Sequence, residues 1–329
     1  MSTDVPNTPV EKFVVVTRQT ALEELVERFN TREQARFYIE HMGASFSEYE
    51  AAHDTYHASL NALKAALPDT VRQQFIERAF LPNFTFGPND CVVTLGPDGL
   101  VVNTAKYLSG QPLIAFNPDP QRIDGVLLPF HIFNAPRVLA SVVRRNYAVK
   151  KVSMAKAQLN DGQVLHAVND FFIGQRTHVS ARYALRLQGA HGEVSEHQSS
   201  SGIIVSTGAG STGWLRSILT GAAGVVQAQE DLSAQAQSAE PTSDMGRFDW
   251  EADYLVFSVR EPFPSKTSAA RTVFGRIEGG DTLEVVSQMP QNGVIFSDGV
   301  EADYLEFNSG TIANVGLSEK KLHLVTYTY

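Results

Sequence analysis

The chain has 329 residues, 43% hydrophobic and 19% charged, an ordinary globular composition whose length suggests two domains. Asp and Glu outnumber Lys and Arg by 36 to 27, a formal charge of −9, which argues against a protein that coats nucleic acid with a basic surface. The single Cys91 excludes an intramolecular disulfide and a cysteine-built zinc cluster, and no apolar run approaches the length of a transmembrane helix, so the cytoplasm is the expected compartment.

Met1 to Val10 carries no Arg, Lys or apolar segment and reads as a short leader rather than a targeting signal. Phe13-Val14-Val15-Val16, bounded by polar residues, predicts a buried strand. Thr20 stands three residues before Glu23, a capping box, and Leu22, Leu25, Val26 and Phe29 follow at helical spacing. Thr31 and Gln34 open a second helix through about His41. A third covers roughly Ser47 to Leu67 and stops at Pro68, and a fourth is expected from Asp69 to Phe80. Cys91 to Leu95 predicts the next buried strand, ending in Gly96-Pro97-Asp98-Gly99. A helix from Leu100 to Leu108, closed by Gly110, then leads to a strand at Pro112 to Phe116. Strand, turn, helix, strand is a βαβ unit, so the first third reads as a parallel α/β domain. Ligands in such domains gather beyond the carboxyl ends of the strands, where Asp98 falls.

After Pro129 short β-like runs dominate, at 164–173, 180–187, 202–206, 253–259, 272–277, 282–287, 293–297 and 303–307. Their regular spacing predicts a second, largely antiparallel β domain. The stretch 222–246, rich in Ala, Gln and Ser and free of aromatics, reads as an inserted loop or marginal helix. Glu-Ala-Asp-Tyr-Leu occurs at 251–255 and again at 301–305, as two similar edge strands.

Three constellations bear chemistry. In Gly96-Pro97-Asp98-Gly99 the glycines let a backbone approach a ligand, the following helix offers free N–H groups to phosphate, and the aspartate can take a proton or a metal; an ordinary β-turn has the same composition. Ser206 to Trp214 is a Gly/Ser/Thr loop after a strand, and Gly208, Gly210 and Gly213 formally match G-x-G-x-x-G. That keeps a Rossmann oxidoreductase open, although the acidic position about 20 residues on holds Glu230 and Asp231 with no strand leading to them. His53-Asp54-Thr55-Tyr56-His57 puts two histidines at i and i+4, one methylene short of H-E-x-x-H, and a solvated helix face is the favoured reading.

Together these motifs resemble the NAD kinase family, over residues 13–20 and nearly all of 90–329, with the mitochondrial-type branch most similar. The family's Gly-Gly-Asp-Gly turn is matched by Gly96-Pro97-Asp98-Gly99. Its Asn-Glu pair after a strand is matched by Asn169-Asp170, and its Gly/Ser/Thr loop by Ser206 to Trp214. Asn117-Pro118-Asp119-Pro120, Ser258-Val259-Arg260-Glu261-Pro262, Asp298-Gly299 and Glu306-Phe307-Asn308-Ser309-Gly310 look like further segments of that branch. The resemblance implies an α/β domain of the NAD-kinase and diacylglycerol-kinase type at 1–128, with 308–329 a candidate completion. It also implies a β-sandwich-like NAD-binding domain at 129–307 and an active site in the cleft between the two.

The implied reaction moves the γ-phosphoryl of ATP, with Mg²⁺, to the 2′-hydroxyl of the adenosine ribose of NAD. By the same resemblance Asp98 accepts the hydroxyl proton, and Gly96 and Gly99 let the backbone close on phosphates. Asn169 and Asp170 bind NAD, Thr207, Gly210 and Ser211 line the nucleotide site, and Arg18 is a candidate phosphate contact. A homo-oligomer, dimer or larger, is implied as well. Three residues depart from the pattern: Pro97 removes an N–H, Leu100 replaces a threonine and Asp170 a glutamate. They raise a catalytically impaired nucleotide-binding relative as the alternative.

Overall fold

The computed structural model describes residues 8–189, 192–232 and 246–327 and divides into two compact units. One takes the chain as far as Lys150 together with the residues from Leu322 onward; the other is Lys151–Lys321. Among the described residues no helix is long and apolar enough to cross a membrane.

The first unit runs β1 (Lys12–Thr17), α1 (Ala21–Phe29), α2 (Arg32–His41), α3 (Phe46–Ala66), β2 (Arg72–Glu77), β3 (Asp90–Leu95), α4 (Asp98–Ala105), β4 (Pro112–Asn117), β5 (Phe130–His131) and α5 (Ala135–Val143). The strands pair in parallel in the order β4-β3-β1-β2, with β5 beside the end of β4. Every residue of β3 and β4 is buried, which is why both read as unbroken apolar runs. Tyr56 and Leu63 of α3 and Val138, Leu139 and Val142 of α5 pack on Phe13, Val15, Val93 and Phe116. The capping box at Thr20 and Glu23 is present.

The helix expected over 69–80 is absent. Arg72–Glu77 is an edge strand parallel to β1, followed by a 3₁₀ turn at Arg78–Asn83. Only Ile76 of that strand is buried and Phe75 is exposed, so a one-sided edge strand carries too few apolar residues to be told from a helix. Residues 129–150, which lie after the change in texture, belong to this unit because β5 and α5 pack on its sheet.

The second unit holds most of β6 (Ala148–Leu159), β7 (Val164–Ala167), β8 (Asp170–Gln175), β9 (Ala181–Gly189), β10 (Gly192–Ser200), β11 (Ile203–Ser206), α6 (Trp214–Leu232), β12 (Tyr254–Val259), β13 (Phe274–Glu278), β14 (Thr282–Ser287), β15 (Gly293–Ser297), β16 (Val300–Glu306) and most of β17 (Ile312–Thr326). Six strands form an all-antiparallel sheet in the order β13-β12-β11-β8-β15-β16. Alternate residues of that sheet, Phe171, Ile173, Val205, Phe257 and Ile295, share one core with Tyr183, Leu185, Leu283, Val285 and Val315 from β9, β14 and β17. The result is the expected sandwich. The start of β17 pairs with β14, while His323 and Leu324 at its end pair in parallel with Pro112 and Leu113 of β4. The second Glu-Ala-Asp-Tyr-Leu copy lies on the edge strand β16, but the first leads into β12, an inner strand. The insert begins as the continuation of α6; residues 233–245 lie outside the described ones.

Candidate functional site

In the first unit β3 ends at Leu95 and α4 begins at Asp98, so the Gly96-Pro97 step is the whole strand-to-helix turn. Pro97 caps the helix from an extended conformation and contributes no side-chain hydrogen bond. At Gly96 a Cβ would stand 2.9 Å from Leu100 Cδ2, so a side chain there displaces the end of Leu100. At Gly99 a Cβ would meet nothing within 4 Å. The half-buried Asp98 carboxylate accepts from the backbone N–H groups of Leu127 at 2.6 Å and Val126 at 3.2 Å. The loop that brings those amides is pinned by the buried Asn117, whose side chain accepts from Asp119 N and donates to Ile123 O, both at 2.9 Å. A cavity of about 390 Å³ opens here, lined among others by Arg18, Gly96, Pro97, Asp119 and Arg122. Arg18 therefore shares a cavity with the turn, its Nε donating to Gln19 O at 2.8 Å.

In the second unit the two motifs at 169–170 and 206–214 are locked to each other. Thr207 N donates to Asn169 O at 2.9 Å, the Thr207 hydroxyl donates to Val168 O, and Gly210 N donates back to Thr207 Oγ1 at 3.2 Å. Ser211 Oγ donates to Gly208 O at 2.7 Å. Both hydroxyl side chains are fully buried, so Thr207 and Ser211 hold the loop's shape. Two glycines are demanded by backbone, not by a dinucleotide. A Cβ at Gly208 would lie 1.8 Å from Asp249 O, and one at Gly210 would lie 2.1 Å from Asn169 O. β11, which feeds this loop, is antiparallel to both its neighbours, β8 and β12. A Rossmann turn needs a parallel βαβ setting, so the oxidoreductase reading is overturned.

Asp298 and Gly299 form the two-residue turn between β15 and β16, with φ values of 56° and 68°, the left-handed pair that suits a tight hairpin. That turn aims the Asp298 carboxylate at Asn169 N, 2.6 Å away, and at Val168 N, while Asp298 N donates to Asp170 O at 3.0 Å. Asp170 is buried, and this desolvation, joined by the negative charge of Asp298, pushes its pKa up to about 7.

A cavity of about 420 Å³ lies against these residues, its wall including Asp170, Phe172, Arg176, Trp214, Arg260 and Asp298. The Phe172 ring stacks on Trp214 at 5.8 Å and on Phe296 at 6.0 Å, and the Arg260 guanidinium lies over Trp214 at 5.4 Å. Sequence reasoning missed Phe172, Arg176 and Phe296. The available signal was the period of two, which puts Phe172 on the same face of β8 as Asp170. Flat apolar walls with two guanidinium groups and two carboxylates suit a ligand that is part aromatic, part anionic and part hydroxylated.

No protein-family model matches the sequence, and no curated protein does. Solved structures do match. Yeast NADH kinase complexed with NADH superposes with a TM-score of 0.57 at 14% identity, over 98% of this chain and 85% of that one. An NAD kinase from Archaeoglobus fulgidus in complex with ATP gives 0.55 at 17% identity, over 96% and 93%. The fold is that of the NAD kinases. It agrees with the α/β unit plus antiparallel unit expected from the residues, and at these identities the likeness is one of fold alone.

Proposed function

We propose that this chain is a kinase that moves the γ-phosphoryl of ATP to the 2′-hydroxyl of the adenosine ribose of NAD, giving NADP. The observation that carries the reading is the place of Asp98. It opens a helix at the carboxyl end of a parallel strand, in a chain with the NAD-kinase fold, and two backbone amides brace its carboxylate. Two of its roughly four lone-pair positions are taken, which leaves acceptor capacity for a hydroxyl proton.

In the proposed step the ribose oxygen bonds to the γ-phosphorus and its proton passes to Asp98. The bond from phosphorus to the β–γ bridging oxygen breaks, and ADP leaves with the electron pair. Arg18 and the first-turn amides of α4 meet the phosphates. Mg²⁺ fits a turn whose donor is a hard carboxylate oxygen, and when bound on the triphosphate it supplies charge neutralisation. Asn169 and Asp170 take the hydroxyls of NAD, and the Phe172 and Trp214 wall takes one of its rings. Thr207 and Gly210 act as positioning residues for Asn169 through the contacts that lock the two segments, and Ser211 holds the shape of the loop through its bond to Gly208 O.

A second reading is a relative that binds nucleotide without turnover. Pro97 brings no N–H to the turn, and Leu100 is buried against Gly96 where the family's pattern has a hydroxyl. A screen of NAD and NADH as acceptors against ATP, other nucleoside triphosphates and polyphosphate as donors separates the two. The kinase reading expects NADP or NADPH from at least one pair. Ligand-induced thermal stabilisation with no product from any pair would favour the second reading. Light scattering on the same sample tests the homo-oligomer.

A further inference from the structure

The histidine pair set aside in the sequence has a third partner in the fold. His53 and His57 lie one turn apart on α3, with ring centroids 4.3 Å apart. Facing them is Glu23, the third residue of α1, some thirty positions upstream. Its Oε2 accepts from Thr20 N at 2.6 Å, and its Oε1 lies 3.0 Å from His57 Nε2. One ligand atom from each of Glu23, His53 and His57 falls within 4.8 Å of the other two.

Neighbours hold all three side chains in place. The capping box fixes Glu23, Thr20 Oγ1 stands 2.8 Å from His53 Nδ1, and the Tyr56 ring meets His57 edge-on at 5.5 Å. An oriented ring and an oriented carboxylate are what a metal centre asks of its surroundings. The cluster is also reachable, since the His57 and Glu23 side chains are 39% and 36% exposed.

We propose that Glu23, His53 and His57 bind one divalent transition-metal ion of the Zn²⁺ class, clasping α1 to α3. Two imidazoles and one carboxylate form a borderline donor set that suits Zn²⁺, Co²⁺ or Ni²⁺ and is wrong for Mg²⁺, which prefers oxygen. The site is therefore chemically distinct from any Mg²⁺ carried by ATP, and it does not rest on the kinase reading. Three protein ligands leave the fourth tetrahedral position to water. Asp54, which stands where a zinc protease has its glutamate, is exposed and outside the cluster, so no protease chemistry follows. His53 also lines the cavity that holds Arg18, Gly96 and Pro97, so the ion sits beside that cavity.

The test is a Co²⁺ titration of the chelator-stripped full chain, followed by visible absorption, with Zn²⁺ as competitor and thermal melting alongside. The expected result is one equivalent of Co²⁺ with tetrahedral-type absorption, displaced by Zn²⁺ and not by Mg²⁺. Zn²⁺ should also raise Tm. His53→Gln and His57→Gln should each weaken binding by at least ~10-fold. Glu23→Gln keeps a capping-box side chain but removes the charge, so it should weaken Co²⁺ binding while the melt without metal stays close to wild type. Stoichiometric binding left unchanged by all three variants would place the metal elsewhere and overturn the proposal. Failure of the wild type to bind Co²⁺ or Zn²⁺ would reduce the cluster to hydrogen bonds and overturn it equally.

Discussion

Gly210 lies against the backbone of Asn169 so closely that a Cβ at 210 would stand 2.1 Å from the Asn169 carbonyl oxygen. Two segments that the sequence separates by some forty residues are thus one piece of structure. Gly210→Ala should force them apart and cost about 3 kcal/mol, in the range of overpacked buried sites. Gly99→Ala, where the added methyl meets nothing within 4 Å, should stay within about 0.5 kcal/mol of wild type. Urea denaturation of both variants checks the contrast.

Thr207 makes the second tie. Thr207→Val removes the donor to Val168 O and the acceptor for Gly210 N, both buried, with little change of volume. The expected loss is about 1–3 kcal/mol, and Thr207→Ser should recover most of it. In the proposed function Thr207→Val also raises KM for NAD more than it lowers kcat, because Asn169 loses its support. Equal stability of the Thr207→Val and wild-type proteins in denaturant would refute the tie.

Asp170 should make stability depend on pH in a definite direction. Its folded pKa, about 7, lies above the ordinary carboxylate value of 3.8, so the folded state holds the proton more tightly than the unfolded chain. The stabilisation is full below the unfolded value and is lost as pH rises through about 7. Asp170→Asn keeps the neutral shape and cannot ionise. Measured by denaturant titration, the variant should match wild type near pH 4 and exceed it at about pH 8, by up to ~4 kcal/mol. A constant difference across that range would mean that Asp170 does not titrate there.

Pro97 is the departure with the plainest chemical consequence. Pro97→Gly returns an N–H to the turn before α4 and frees the φ that proline fixes. It should cost about 1 kcal/mol of stability through the unfolded chain. It should also tighten ATP binding or raise turnover, since phosphate gains a donor. Calorimetric titration of ATP into both proteins checks this, and unchanged affinity and rate would remove Pro97 from the phosphate cradle.

Much of the fold is legible in the sequence because the relevant signals are local. Val14 to Val16, Cys91 to Leu95 and Pro112 to Phe116 are short apolar runs because β1, β3 and β4 are buried, and the turn at Asp98 follows directly from β3. β2 reads wrongly as a helix because an exposed edge strand has almost no apolar period to detect. Asp298 is visible as an Asp-Gly turn. Its carboxylate hydrogen bond to Asn169 N, 129 residues away, depends on the hairpin register of β15 and β16, which no local pattern encodes. Glu23 escapes for the same reason: a capping residue on one helix becomes a metal-ligand candidate only when α1 is laid on α3. Loop glycines mislead in the other direction. Gly208, Gly210 and Gly213 match a dinucleotide fingerprint, yet the first two are set by contacts with Asp249 and Asn169.

The most direct test of the proposed function is the initial rate of NADP formation from NAD, ATP and Mg²⁺ by wild type and by Asp98→Asn. The variant keeps one oxygen, enough for the 2.6 Å contact from Leu127 N, and loses the acceptor for the longer, exposed contact from Val126 N, so the loop stays held at Leu127 while the group that takes the proton is gone. The proposal expects measurable turnover by wild type and a fall of roughly 10²–10⁴-fold in kcat for the variant, with thermal melting lowered only by the loss of the exposed Val126 contact. Turnover by Asp98→Asn equal to wild type would contradict the assignment of Asp98 as the base.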